Sequence, residues 1–167
     1  MKKTGWIILG VVLLLIIMTV SAFVGTYNNL QLMDENVNSK WAQVENQLKR
    51  RNDLIPNLVA TVKGYASHEK EVFSNIANAR AKLGGAMNNN DMKGIQQGNS
   101  DLSNALSRLL LVVERYPDLK ADKQFINLQD ELAGTENRLA VARKDYNDSV
   151  QQLNARIRTF PTSIIAG

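Results

Sequence analysis

The feature that most constrains this chain is an uncharged apolar run near its N-terminus. Trp6 to Val24 reads "WIILGVVLLLIIMTVSAFV", 19 residues without a charged side chain. A helix of that length, rising about 1.5 Å per residue, covers roughly 28 Å, close to the thickness of a bilayer's hydrocarbon core. Val20–Ala22 resembles a signal-peptidase site, but the run is longer than a usual signal-peptide core. We therefore predict that residues 1–26 form a short N-terminus and an uncleaved transmembrane helix.

The charges that flank the run predict its orientation. Lys2 and Lys3 precede it, whereas Asp34, Glu35 and Lys40 are the first charged residues after it. The positive-inside rule then places the N-terminus in the cytoplasm and the remaining chain on the extracytoplasmic side of the cell's inner membrane. The absence of cysteine agrees with an extracytoplasmic location.

The net charge of +4 does not indicate a nucleic-acid partner. Without Lys2 and Lys3, the chain holds 18 basic and 16 acidic residues, a balance of +2. These charges alternate along the chain, "LKRR" at 48–51 is the one basic cluster, and no nucleic-acid-binding motif accompanies it. We expect no nucleic-acid partner.

Beyond the span, apolar residues recur at alternating spacings of three and four, which predicts an all-α, coiled-coil-like bundle. The first long helix is expected from about Asn28 to "LGGAMNNND" at 83–91, the second over about 91–116 and the third over about 125–157. Pro161 closes the third helix. The predicted parts are thus a helical bundle at 27–160 and a small apolar tail at 161–167.

An up, down and up arrangement of three antiparallel helices leaves the start of the first helix without a partner. Its apolar seam there consists of Val37, Trp41, Val44 and Leu48. Either several copies pack their stalks together, or the first helix breaks near Pro56 and folds back as a fourth bundle helix. Both alternatives stay open, although an apolar register that continues across Pro56 favours a kinked, continuous helix.

Two charged residues, Arg51 and Glu69, fall on the apolar seam. They are roughly 27 Å apart on one helix, so they cannot pair with each other. The bundle arrangement places acidic side chains near Arg51 and basic ones near Glu69, which predicts ion pairs between helices that fix their register. An anionic headgroup site at Arg50 and Arg51 is the alternative. The candidate ion-pair residues are Arg51, Glu69, Arg108, Asp118, Asp122 and Arg138.

The composition offers little for catalysis, because the chain has one histidine and no cysteine. His68 has no second histidine four residues on, so the zinc-protease motif is missing. We predict no catalytic residue, metal site or cofactor. Glu136, Arg143 and Asn147 share one helix face and are candidates for a polar strip between subunits.

Several segments resemble the LemA family over nearly the whole chain. They are "YNNL" at 27–30, "RRNDLIPNLVATVKGYASHE" at 50–69, "YPDLKA" at 116–121, "LQDELAGTENRLAVARKDYNDSV" at 128–150 and the terminal "FPTSIIAG". The resemblance implies a single-pass bacterial membrane protein with a helical bundle and no established catalytic activity, associated with envelope stress and membrane proteases. Family members usually continue beyond the position of Gly167. The family's motif residues also match, with no chemistry assigned to them: Arg51, Pro56, Glu69, Glu136, Asn137, Arg143 and Asn147.

These observations predict a non-enzymatic protein of the bacterial cell envelope, anchored in the lipid bilayer. In the leading hypothesis, copies of the chain assemble through the stalk seam and the bundle into a homo-oligomeric scaffold. In the alternative hypotheses, a monomer acts as an adaptor for a membrane protease or receptor, or senses anionic lipids.

Overall fold

The computed structural model describes the backbone of residues 2–165 and the side chains of residues 5–164. The side chains of Lys2 and Lys3, on which the orientation prediction rests, and the end of the apolar tail lie outside that part. All regular structure between residues 2 and 165 is helical, which confirms the all-α prediction. The helices are α1 (Lys2–Tyr65), α2 (Lys70–Asn88), α3 (Met92–Val113), α4 (Pro117–Lys120), α5 (Lys123–Ile157) and α6 (Thr162–Ile165).

The chain divides into two compact units that share α1 and α5. Unit 1 contains the residues up to 41 and those from 143 onward, and unit 2 contains residues 42–142. Helix α1 therefore contributes its first part to unit 1 and its last 24 residues, 42–65, to unit 2.

Helix α1 runs through Pro56, so of the two alternatives it is the continuous helix that the structure has, and the fold-back at Pro56 is wrong. The expected end of the first helix at 83–91 is also wrong, because α1 ends at Tyr65. Pro56 is exposed, and the carbonyl that loses its N–H partner, that of Asn52, accepts a hydrogen bond from Arg80 Nε instead. The chain turns instead over residues 66–69, where the N–H of Ala66 donates to Val62 O and that of Glu69 to Ala66 O. Gly64 and Ser67, on either side of this point, are poor helix formers.

Unit 2 is closed by helices that return beside one another. Helix α2 runs back along α1, where Arg80 Nε donates to the backbone oxygen of Asn52 at 3.0 Å. The turn over residues 89–91 uses a left-handed conformation at Asn90, whose φ is 51°. Helix α3 then returns along α2, and a Cβ built on Gly98 would lie 2.8 Å from Leu83 Cα. Glycine is required at this crossing because any side chain would meet the backbone of α2.

The seam that seemed to lack partners is buried within one chain. Val44 and Leu48 are 2% and 0% exposed and belong to the core of unit 2. The expectation that this seam lacks partners within the chain fails because residues 70–88 do not continue the first helix. They form a separate helix, α2, which runs back along α1 and adds helical surface beside it. The main members of this core are Val44, Leu48, Ile55, Leu58, Val62, Phe73, Ile76, Leu83, Leu102, Leu109, Phe125 and Leu139.

Unit 1 joins the start of α1 to the end of α5. Val37 and Trp41 are half-buried there, and the Trp41 and Tyr146 rings lie 5.2 Å apart between centroids. Lys40 Nζ and Asp145 Oδ2 form an ion pair at 3.6 Å. Earlier in α1, the apolar side chains face outward, with exposures from 76% at Trp6 to 49% at Val24.

Candidate functional site

The charged seam residue Arg51 lies inside unit 2 and connects three helices. It follows Leu48 and precedes Ile55 on the buried face of α1, so its side chain points into the core and is only 5% exposed. Its Nη1 donates to Asn99 Oδ1 of α3 at 2.7 Å, and its Nη2 donates to Ser103 Oγ at 3.0 Å. The same Nη1 lies 2.9 Å from Glu136 Oε2 of α5, as an ion pair without hydrogen-bond alignment.

The partner of Arg51 therefore differs from the one that the sequence predicted. Asp118 and Asp122 were expected near it, but the counter-charge is Glu136, whose side chain is 46% exposed. The prediction failed because the first helix was expected to continue to 83–91, whereas the chain already turns after Tyr65, which shifts the level of every later residue. The geometry nevertheless provides an ion pair between helices, with an Arg51 side chain that is almost fully desolvated and held by directional bonds. Its role in fixing the register of the helices stays a prediction.

Arg50, the neighbour of Arg51, faces the outside of the same helix. Its Nη2 lies 2.7 Å from Glu131 Oε1, and the two side chains are 53% and 42% exposed. A headgroup site built on both arginines is incompatible with this arrangement, because Arg51 is buried and Arg50 already holds a carboxylate.

The remaining predicted ion-pair residues take other roles. Glu69 pairs with Arg115, at 2.8 Å from Oε1 to Nη2, rather than with Arg108 or Arg138. Arg108 lines a shallow polar pocket between α2 and α3. Arg138 Nη2 lies 3.4 Å from Thr135 Oγ1 one turn before it on α5. Asp118 is exposed on α4.

Asp122 caps the start of α5 and also ties it to the end of α1. Its Oδ1 accepts the N–H of Phe125 at 2.8 Å, and its Oδ2 accepts the Tyr65 hydroxyl at 2.9 Å. The Phe125 N–H, and then the Tyr65 hydroxyl, lower the pKa of the Asp122 carboxyl, since both bonds favour its charged form. In return, the hydrogen bond to Asp122 and its negative charge raise the pKa of Tyr65.

Four residues that make these contacts were not predicted from the sequence, namely Asn99, Ser103, Tyr65 and Arg115. A signal existed for two of them, because Asn99, Ser103 and Ser107 follow one another at four-residue spacing beside the apolar face of α3. Small polar residues in that position indicate a buried polar partner. Tyr65 and Arg115 are exposed, and their contacts depend on where the turns fall, which the helical period does not specify.

An open groove of about 310 Å³ adjoins the Arg51 cluster between α3 and α5. Leu58 of α1 contributes to it, Leu106 and Leu110 of α3 and Leu132 of α5 give it apolar surface, and Arg51, Ser103, Ser107, Gln129 and Glu136 supply polar atoms. Such a groove can hold an apolar side chain with a polar neighbour. The Ser103 and Ser107 hydroxyls donate to the backbone oxygens of Asn99 and Ser103, so neither is paired with a base as a nucleophile would be.

The three candidates for the predicted polar strip belong to different units. Glu136 belongs to unit 2, and the half-buried Arg143 and exposed Asn147 belong to unit 1. Their role between subunits stays a prediction. Within the described residues, no group of three or more His, Cys, Asp or Glu side chains is arranged to hold a metal ion.

Helix α1 is long and apolar enough at its N-terminal end to cross a membrane, judged by length and composition. An exposed apolar helix of this length is typical of proteins that associate with membranes, and the start of α1 fits that class.

The family follows from sequence comparison. A sequence model of the LemA family matches residues 40–167, and this chain belongs to the LemA family. Magnetosome protein MamQ 2 of Paramagnetospirillum magneticum is 27% identical over 177 residues, which cover 90% of this chain and 65% of that protein. Protein LemA of Metamycoplasma hominis is 26% identical over 158 residues, covering 92% of this chain and 71% of its own length. The chain thus spans about 65% of the MamQ relative.

Proposed function

We propose that this chain is a non-enzymatic, membrane-anchored adaptor of the bacterial cell envelope. The start of α1 holds it in the inner membrane as a single-pass protein, and unit 2 stands on the extracytoplasmic side. Membership of the LemA family and the exposed apolar helix support membrane association. The adaptor role means that the folded bundle offers its surface to another membrane protein.

The observation that carries this proposal is the burial of the seam within one chain. Val44 and Leu48 are covered by helices of their own copy, so unit 2 does not need a second copy to complete its core. The groove between α3 and α5 supports the same proposal, because it leaves Leu110 41% exposed beside the half-exposed carboxylate of Glu136. An apolar side chain of a partner protein, with a basic residue beside it, matches those surfaces.

The test is the mass of the full-length protein in detergent, measured by light scattering with the detergent contribution subtracted. An adaptor is expected to have the mass of one chain, 18.6 kDa. Its thermal midpoint should also be unchanged over a hundredfold dilution, because an intrachain core unfolds without dissociation. A Leu48→Ala variant should then lose stability and stay monomeric.

Self-assembly into a scaffold is the second candidate. It is supported by the apolar surface of α1 between residues 6 and 24, which the chain itself leaves exposed and which copies can share inside a membrane. A defined multimer of full-length protein, with a midpoint that falls on dilution, would favour the scaffold and count against the adaptor.

A further inference from the structure

The segment that follows α5 lies beside the last turns of the apolar run in unit 1. Pro161 and Ile164 line one cavity of about 410 Å³ together with Met18, Ala22 and Phe23 of α1. Thr162, between them in sequence, is 0% exposed, and its hydroxyl oxygen has no hydrogen-bond partner among the described residues. The C-terminal segment therefore lies against α1 at this level, where Thr19 and Thr26 also line the cavity and donate their hydroxyls to the backbone of their own helix.

Two large apolar side chains of this segment point outward. Phe160 is 80% exposed and Ile164 is 72% exposed. Ile164 lies beside two α1 side chains that are also exposed, Met18 at 61% and Phe23 at 54%. The apolar surface of the span thus continues onto the C-terminal segment, and a surface of this kind is unfavourable in water.

The depth of the segment follows from its neighbours on α1. Met18 precedes Val24 by six residues, so the cavity covers roughly the last 9 Å of the apolar run. Segments that lie in the membrane interface bury their apolar side about 5–10 Å below the headgroups. Backbone N–H groups that enter a membrane need hydrogen-bond partners within the protein. Two N–H groups of this segment have them, because Ser163 N–H donates to Thr159 O at 2.8 Å and Ile164 N–H to Pro161 O at 3.1 Å.

Polar residues suited to the headgroup region come directly before the apolar ones. Arg156 and Arg158 are exposed near the end of α5, and Tyr27 is 49% exposed just after the apolar run. Arginine binds phosphate oxygens well, and tyrosine is enriched at membrane interfaces.

We propose that residues 156–164 form a second membrane contact, in which Phe160 and Ile164 insert among the lipid acyl chains beside α1 while Arg156 and Arg158 stay at the lipid phosphates. This inference rests on the proposed function in one respect, namely that the start of α1 crosses the bilayer. It adds that the end of α5 is held at the membrane surface by its own side chains.

The test uses the natural lack of cysteine, which makes single-cysteine variants of the full-length protein simple to label. Each variant carries a nitroxide spin label and is reconstituted into vesicles of phosphatidylethanolamine and phosphatidylglycerol. The measurement is the ratio of the label's accessibility to oxygen, which concentrates in the acyl region, and to a water-soluble nickel chelate. The test positions are Phe160→Cys and Ile164→Cys, both on exposed side chains, so folding should be preserved.

Two further variants serve as references. Leu14→Cys reports on the middle of the apolar run, and Asn154→Cys reports on an exposed site of α5 shortly before the proposed contact. We expect the oxygen-to-nickel ratio at positions 160 and 164 to exceed that at 154 several-fold and to approach that at 14.

Three other results would contradict parts of the proposal. Aqueous labels at 160 and 164 beside a lipid-exposed label at 14 would overturn the second contact and leave the anchor intact. An aqueous label at 14 would overturn the anchor itself, and the second contact with it. A lipid-exposed label at 154 would contradict the proposed boundary, because the end of α5 would then be submerged as well.

Discussion

Arg50 and Arg51 are adjacent on α1, yet they differ in how much each contributes to the stability of unit 2, because one is exposed and the other is buried. The Arg51 side chain is 5% exposed and bonded to Asn99 and Ser103, whereas that of Arg50 is 53% exposed and pairs with Glu131 in solvent. Removing Arg51 leaves the buried Asn99 without a partner. Removing Arg50 only leaves the exposed Glu131 carboxylate to water.

Replacing these residues by alanine should therefore give unequal losses of stability. We expect Arg51→Ala to lower the free energy of unfolding by about 2–4 kcal/mol, because a buried polar group loses its bonds. Arg50→Ala should cost roughly 0–1 kcal/mol, as exposed ion pairs do. Urea denaturation of both variants measures the difference, and equal losses would contradict the described burial of Arg51.

The Tyr65–Asp122 contact predicts a coupled titration. The Asp122 carboxylate raises the pKa of Tyr65, so Asp122→Asn should return the Tyr65 pKa toward its ordinary value. The stabilisation associated with Tyr65 is present at neutral pH and is lost as the pH rises through the raised folded-state pKa. For Asp122 the pKa is lowered, so its stabilisation is present above the ordinary carboxyl pKa and is lost as the pH falls through the lowered one.

Phenolate absorbance, compared with a Tyr65→Phe variant, isolates this titration from those of the other three tyrosines. An unchanged Tyr65 midpoint in Asp122→Asn would show that the hydroxyl is not bonded to the carboxylate in solution.

The sequence predicted the special role of Arg51 but not its partners. The apolar period assigns Arg51 to the buried face, and this holds because burial follows directly from position on a helix. Glu136 was noted only for a polar strip, since the partner of a charge depends on where distant helices turn. Local spacing carries no information on that point.

At the scale of elements, turn positions were the least predictable feature. The repeat keeps its spacing from Val37 to Leu83, with Arg51 and Glu69 as its charged members, so the spacing does not mark the turn at 66–69 that separates α1 from α2. Pro56 was the stronger sequence signal, yet an exposed proline is tolerated within a helix of this length. The predicted third helix, about 125–157, corresponds closely to α5, because "YPDLKAD" and Pro161 give unambiguous ends.

The crossing of α2 and α3 predicts that replacing two glycines by alanine changes the stability in opposite directions. A methyl group at Gly98 would meet the Leu83 backbone at 2.8 Å, and backbone cannot move aside cheaply. We expect Gly98→Ala to destabilise unit 2 by about 1–3 kcal/mol. Gly84 has no atom within 4 Å of its Cβ position, so Gly84→Ala should stabilise α2 by about 0.5–1 kcal/mol.

Thermal unfolding of these two variants beside the original protein measures both effects. A gain in stability at both positions would mean that α2 and α3 are further apart than described.

At the scale of the whole molecule, the proposed orientation predicts which residues a reagent can reach. Ser67 is exposed in the turn between α1 and α2, on the side that we place outside the inner membrane. A membrane-impermeant maleimide should label Ser67→Cys in cells whose inner membrane is intact. Lys3→Cys, on the cytoplasmic side, should react only after lysis. The reverse pattern would invert the proposed topology.

The division of the chain into units has a consequence for the order in which the protein is made. Unit 1 is assembled from the first 41 residues and those after 142, so its two parts leave the ribosome about a hundred residues apart. At roughly 5–20 residues per second, that interval lasts about 5–20 seconds. Unit 2 has all its residues during synthesis, whereas unit 1 must wait for the end of the chain. The first helix therefore enters its surroundings long before the segment that packs against it exists.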